Sequence, residues 1–316
     1  MGMEATRFYG LLYIDAQGSK NVNLGKVAGP NIYSLCASLC SKTFRAAGAV
    51  FHIITNNEEY VRRRLDGFGL DDIVVFGHDF PSVIPKNTPF YVAHFKLDIF
   101  KAFGHGIFGE RIALIDLDTV LLRRLPPTAS LAVYDISDQV FPAYGRHRVG
   151  SDMELVSGRP LSDPRWYGGE FVMGSATEFA TVSRYIDSCW ANYVENISSL
   201  HHVGDEMIMS CALNMARADG VRIVDYGQNN VVARWWTART AHRQVAFDAV
   251  GRAALLHLPA DKTFLAKEAA YDFNSEAFLS RFRRHARNKI AVRSLVSAGG
   301  LLLRGSTKFT PRLSSE

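Results

Sequence analysis

ALIDLDTVLL, residues 113–122, is an apolar run interrupted by two aspartates and by no other charged residue. Its upstream part, Arg111–Ile115, predicts a strand with no polar face, the pattern of a strand covered on both sides of a sheet. Asp116 and Asp118 follow two residues apart. In an extended chain they share one face, so their carboxylates converge beyond the strand end. Two such carboxylates repel unless a cation neutralises them, and their oxygens suit a hard divalent ion. The plainer alternative makes Asp116 a turn cap and Asp118 a solvated charge. The context of the strand decides between the two.

Upstream, strand-like and helix-like segments alternate. Gly10–Ile14 and Ala49–Ile54 predict strands, and Ile73–Phe76 a third. Between them, Asn31–Ala47 carries Ile32, Leu35, Cys36, Leu39, Cys40 and Phe44 at helical spacing, and Glu58–Leu65 predicts a short helix. Ala93–Phe103 predicts the helix that leads into the aspartate strand. Strands separated by helices point to βαβ units and a mostly parallel sheet. In such sheets ligands bind beyond the carboxyl ends of the strands, where Asp15, Thr55, Asn56 and Asp116 are all expected.

Downstream, Leu131–Tyr134, Glu170–Gly174 and Ala253–Leu258 predict strands, and Ala176–Tyr193 and Asp205–Ala218 helices. The stretch between Tyr134 and Glu170 reads as a long polar loop with Gly and Pro. No repeat or linker interrupts the body, so one domain over residues 8–270 and a C-terminal extension over 271–316 are expected.

With 316 residues, 47% hydrophobic and 21% charged, the chain can bury a core without disulfide or metal staples. Its four cysteines, Cys36, Cys40, Cys189 and Cys211, lack zinc spacing and are expected to be reduced and buried. The N-terminal residues lack a basic segment followed by an apolar run, so no leader is expected. The apolar stretch Leu295–Leu303 is broken by Gly299 and Gly300, too short to span a bilayer. Residues 281–316 hold nine Lys/Arg against one acidic residue, a local +8 within an overall +5, which leaves the body at −3. That distribution excludes a nucleic-acid-binding core. Phe282, Ile290, Val292, Leu295 and Leu301–Leu303 lie among the basic residues, a pattern suited to peripheral contact with an anionic membrane surface. A cytoplasmic protein, peripheral at the inner face of the membrane, is the expectation; a solvated basic end is the alternative.

Together these segments make the chain resemble the GT-A-fold glycosyltransferases, and more narrowly glycosyltransferase family 8, over about residues 8–265. The resemblance implies an α/β fold, Rossmann-like, with a mixed, mostly parallel central sheet. It implies that Asp116 and Asp118 bind Mn2+ (or Mg2+), which holds the diphosphate of a nucleotide-sugar donor, a UDP-sugar. HFKLDIFKAF (94–103) is similar to the helix that presents a basic residue to the donor, at Lys96. VGDEMIMSCALN (203–214) resembles the helix start beneath the transferred sugar, with Asp205 and Glu206 where the family has Asp and Gln. An acidic pair there is also good helix-start chemistry. ALLHLPADKTF (254–264) resembles the segment whose histidine, His257, is the third metal ligand and whose lysine, Lys262, reaches the phosphates. Imidazole beside two carboxylates favours Mn2+.

The sequence departs from the family at four places, one of them the His257-to-Lys262 spacing, which is one residue shorter than the family's. Tyr167-Gly168-Gly169-Glu170 replaces an Asn-Ala-Gly strand, Glu206 replaces Gln, and Thr263-Phe264 replaces Pro-Trp. The resemblance further implies transfer of a hexose, with retention, to a saccharide or glycolipid acceptor. The nucleotide base and ribose would lie near Tyr13, Asp15, Thr55 and Asn56. Two rivals remain. IDLDTV also fits the haloacid-dehalogenase phosphatase motif, and a non-catalytic nucleotide-sugar-binding protein could keep the same fold.

Overall fold

The computed structural model describes residues 6–14, 32–68, 73–85 and 87–306. Asp15 lies outside the described residues. Strand β1 (Arg7–Leu11) leads to helix α1 (Ile32–Ala46), then β2 (Phe51–Thr55), α2 (Glu58–Asp66) and β3 (Val75–Gly77). A 3-10 turn over Tyr91–Phe95 runs straight into α3 (Lys96–Gly104), followed by β4 (Arg111–Ile115) and β5 (Thr119–Leu121). β6 (Leu131–Asp135), α4 (Ser137–Tyr144), α5 (Arg146–Ser157), β7 (Tyr167–Ser175), α6 (Ala176–Asn196) and α7 (Asp205–Ala218) complete the main layers. The chain closes with β8 (Ile223–Asp225), β9 (Val232–Arg234), α8 (Phe247–Val250), β10 (Leu255–His257), α9 (Lys262–Glu268) and α10 (Ser275–Ser306).

The seven-stranded sheet has the order β3-β2-β1-β4-β7-β6-β8. Its first four strands are mutually parallel, β7 is antiparallel to both β4 and β6, and β6 and β8 are parallel. This is the mixed, mostly parallel α/β sheet expected from the alternating segments, with α10 as the C-terminal helical extension. Ile112–Ile115 are all buried because β4 is central and covered on both faces. A second sheet, β5-β10-β9, carries the aspartate segment away from β4: β5 pairs antiparallel with β10, matching His257 to Thr119.

Two sequence readings need correction. The supposed polar loop between Tyr134 and Glu170 contains α4 and α5, joined where Gly145 turns with φ +87°. Pro142, in the last turn of α4, and the scattered charges hide the helical period. The basic extension is also more embedded than its composition suggested. Phe282 is fully buried and packs on Trp235, Phe247 and Phe264, and Ile290 packs against the core. Phe282 therefore does not face a membrane, and Ile290 is partly buried. Four of its basic residues are tied to the body: Arg281 to Glu268 at 2.6 Å, Arg283 to Asp248 at 3.2 Å, Lys289 to Asp261 at 2.8 Å, and Arg293 to the Thr237 carbonyl at 2.5 Å. Among the described residues no helix is long and apolar enough to cross a membrane. The four cysteines are free and buried.

Candidate metal and donor site

The end of β4 and the start of β5 form a tight corner. Asp116 leaves the sheet with its backbone N–H on the Glu170 carbonyl (3.1 Å), while its own carbonyl accepts from the Thr119 hydroxyl (2.7 Å). The Asp118 carbonyl accepts from the Leu258 N–H at 3.0 Å, which draws β10 and its terminal His257 against the aspartates. As a result one oxygen from each of Asp116 and Asp118 and one ring nitrogen of His257 lie within 4.8 Å of one another. His257 Nε2 is 3.1 Å from Asp118 Oδ1 and 3.8 Å from Asp116 Oδ2.

Two lysines close on the same corner. Lys262, the first residue of α9, lies 2.5 Å from Asp118 Oδ2 and donates to the Pro259 carbonyl at 3.0 Å. Lys96, the first residue of α3, lies 2.5 Å from Asp116 Oδ1 and 3.2 Å from Asp205 Oδ2, and donates to the Gly169 carbonyl at 2.9 Å. Both are more than nine-tenths buried, a costly position for an ammonium that only such pairing sustains. Asp205 opens α7, where the free N–H groups of the first turn also favour a carboxylate.

Behind this corner runs a buried chain of charge. His257 Nδ1 is 3.2 Å from Glu170 Oε1, and Arg234 grips Glu170 through Nε to Oε1 (2.6 Å) and Nη2 to Oε2 (2.5 Å). Arg234 Nη2 also donates to Glu206 Oε1 at 2.5 Å. Glu206 further accepts from the Trp166 indole (3.0 Å) and the Gly169 N–H (3.2 Å), so its carboxylate is committed to these partners. Gly168 and Gly169 thread between these groups. A Cβ on Gly169 would meet Asp205 Oδ2 at 2.5 Å, and one on Gly168 would meet Arg234 Nη2 at 3.0 Å.

The aspartates titrate in opposite directions. Burial works to raise Asp118, yet Lys262 and His257 outweigh it and hold that carboxyl well below its usual range. Burial raises Asp116, offset only in part by Lys96 and reinforced by the neighbouring Asp118. Burial also opposes charge on His257, but Asp118 and Glu170 overcome it and push the imidazole up to about 9.

A divalent cation fits this donor set. Five carboxylates (Asp116, Asp118, Glu170, Asp205, Glu206) meet three permanent cations (Lys96, Lys262, Arg234), which leaves two negative charges once His257 is neutral. Oxygen, oxygen and imidazole nitrogen are ligands for Mn2+ or a similar first-row ion.

The expected nucleotide-binding residues sit at neighbouring strand ends. Thr55 is fully buried at the end of β2. Asn56 clasps the exit of β1, accepting from the Ile14 N–H (2.7 Å) and donating to its carbonyl (3.0 Å). Tyr13 stacks on Phe95 with centroids 4.4 Å apart, immediately before Lys96. Cavities of about 750 Å³ beside β1 and about 450 Å³ beside α7 are not lined by Asp116, Asp118 or His257. Sequence reasoning missed Arg234, and saw Glu170 only as a departure from a family pattern. The available signal was an arginine inside the apolar VVARWW (231–236) and a glutamate inside a strand, two buried charges that must find each other.

No protein-family model matches the chain, and no curated protein matches it. Its fold is similar to that of solved glycosyltransferases. One is the galactosyltransferase LgtC in complex with donor and acceptor sugar analogues: 10% identity, TM-score 0.48, covering 83% of this chain and 95% of that one. Another is mouse xyloside xylosyltransferase 1 in its apo form: 14% identity, TM-score 0.45, covering 80% and 97%. An active-site mutant of LgtC matches at 10% identity and a TM-score of 0.46.

Proposed function

We propose that the chain is a metal-dependent glycosyltransferase that moves a hexose from a nucleotide-sugar, a UDP-sugar, to a saccharide or glycolipid acceptor. The observation that carries this reading is the convergence of Asp116, Asp118 and His257 within 4.8 Å, with the two buried lysines on the same carboxylates. Asp116, Asp118 and His257 would hold the cation, Mn2+ or Mg2+. Bound there, it supplies Lewis-acid neutralisation of the leaving diphosphate, worth several kcal/mol.

The remaining steps belong to the protein's own groups. Lys96 and Lys262, already oriented by the aspartates, turn to the diphosphate oxygens as these arrive and stabilise the charge that grows on them. Tyr13, Thr55 and Asn56 place the base and ribose across the ends of β1 and β2, a role that the sequence also suggests for Asp15. Asp205, beside Lys96, orients the sugar and faces the electron-poor anomeric carbon. Glu206 acts from behind, holding the Gly169 backbone against the sugar. Retention is the expected stereochemistry.

The test is a panel of nucleotide-sugars incubated with simple saccharide acceptors, with and without Mn2+, read by nucleotide release and by NMR of the product anomer. Nucleotide release that needs Mn2+ and a hexosyl product support the reading. Release of inorganic phosphate from a phosphomonoester in its place would select the phosphatase rival.

A further inference from the structure

We propose that Glu170 is a positioning residue for the cation. It accepts a hydrogen bond from Nδ1–H of His257 and so turns the Nε2 lone pair toward Asp116 and Asp118, while Arg234 clamps its carboxylate in place. The inference rests on the cation reading above and adds to it a residue that touches neither metal nor donor.

The two edges of the His257 ring face different acids, Glu170 Oε1 at 3.2 Å from Nδ1 and Asp118 Oδ1 at 3.1 Å from Nε2. An ionised carboxylate can only accept, so Glu170 and Asp118 each draw a hydrogen to the nitrogen they face; when the Nε2 hydrogen gives way to a cation, the one Glu170 holds stays on Nδ1 and the lone pair is left on Nε2. Histidines that bind metals are oriented in this way by a carboxylate on the far nitrogen. Glu170 is suited to the task because it cannot move. Its side chain is fully buried, both of its oxygens are held by Arg234, and its backbone carbonyl anchors the Asp116 N–H at 3.1 Å. One residue therefore fixes two of the three prospective ligands. A buried Glu–Arg pair is a poor way to stabilise a fold, since apolar residues of like size do as well or better. Its presence behind a metal-binding histidine points to orientation.

The experiment is Mn2+ titration followed by EPR of the free ion, on the full chain and on three variants: His257→Ala, the paired Glu170→Met/Arg234→Met, and all three substitutions together. Removing Glu170 and Arg234 together avoids an unpaired Arg234; Glu206 loses one partner but keeps the Trp166 indole and the Gly169 N–H, and thermal melts verify that the paired variant folds. Glu170→Asp, which keeps the charge but shortens its reach, serves if it does not. The paired variant should bind Mn2+ about 10–100-fold more weakly, and on the His257→Ala background it should cost nothing further. Unchanged affinity, or an equal loss on both backgrounds, would overturn the proposal, because a merely structural pair acts independently of His257. A full chain that binds no Mn2+ would overturn this proposal and the cation reading together, whereas additive losses in a chain that does bind it overturn this one alone.

Discussion

At the scale of single residues, the site is a set of charges that stabilise one another only because they are dry and close. Asp118 is the hub, touching both His257 and Lys262. Asp118→Asn should leave a folded chain by circular dichroism and abolish Mn2+-dependent transfer; measurable transfer at a wild-type rate would remove Asp118 from the site. Lys262→Met keeps the length of the side chain but deletes the charge, which lies 5.9 Å from the Tyr33 ring centroid and is the one proposed for the diphosphate. Its kcat should fall on the order of 100-fold or more, the usual effect of losing one preorganised electrostatic group, with the fold preserved. A kcat unchanged at saturating donor would show that the lysine only neutralises Asp118.

At the scale of elements, the sequence was legible wherever burial imposed a simple period. β4 matches its expected bounds because an unbroken apolar run has few alternatives, and α7 begins at Asp205 as its acidic start and apolar stripe indicated. Gly10–Ile14 shifted to Arg7–Leu11, since strand ends depend on pairing with β2 and β4 rather than on composition. Ala93–Phe103 divides at Lys96, where a 3-10 turn tightens after Phe90 in the left-handed region at φ +55°, a detail that packing decides. Glu170 and Arg234 could not be paired in advance because 64 positions separate them and no local period links them. The C-terminal helix gives the clearest prediction at this scale. α10 braces α9, the helix that begins with Lys262: Asp261 accepts from Thr237, His285 and Lys289, and Phe282 fills the space beside Phe264. Phe282→Ala should destabilise the protein by about 3–5 kcal/mol, measured by urea unfolding. A change within experimental error would mean that α10 is an appendage.

At the scale of the whole molecule, stability should depend on pH in a way set by the buried charge. Burial opposes ionisation of Glu206, but Arg234 outweighs it and holds the carboxyl at about 2; Asp118, Glu170 and Asp261 are likewise lowered by their partners. A group whose folded value lies below its unfolded one stabilises the fold above the unfolded value and loses that contribution as pH falls toward the folded one. Unfolding free energy should therefore drop between about pH 4.5 and pH 2, with Asp116 and Asp98, which are raised, working in the opposite direction. For the metal-free protein there is also an alkaline limb. His257, raised from 6.5 to about 9, stabilises below 6.5 and ceases to do so as pH climbs through 9. Urea melts across pH should show both limbs, and His257→Gln should flatten the alkaline one; a profile level from pH 6.5 to 9 would contradict the charge assignment. The central claim concerns the cation and the donor, and the measurement that reaches it most directly is isothermal titration of the purified protein with UDP, with and without Mn2+, repeated on Asp118→Asn. UDP binding that appears only with Mn2+ and is lost in the variant is the predicted result. Equal UDP binding without the metal, or no nucleotide binding under either condition, would contradict it.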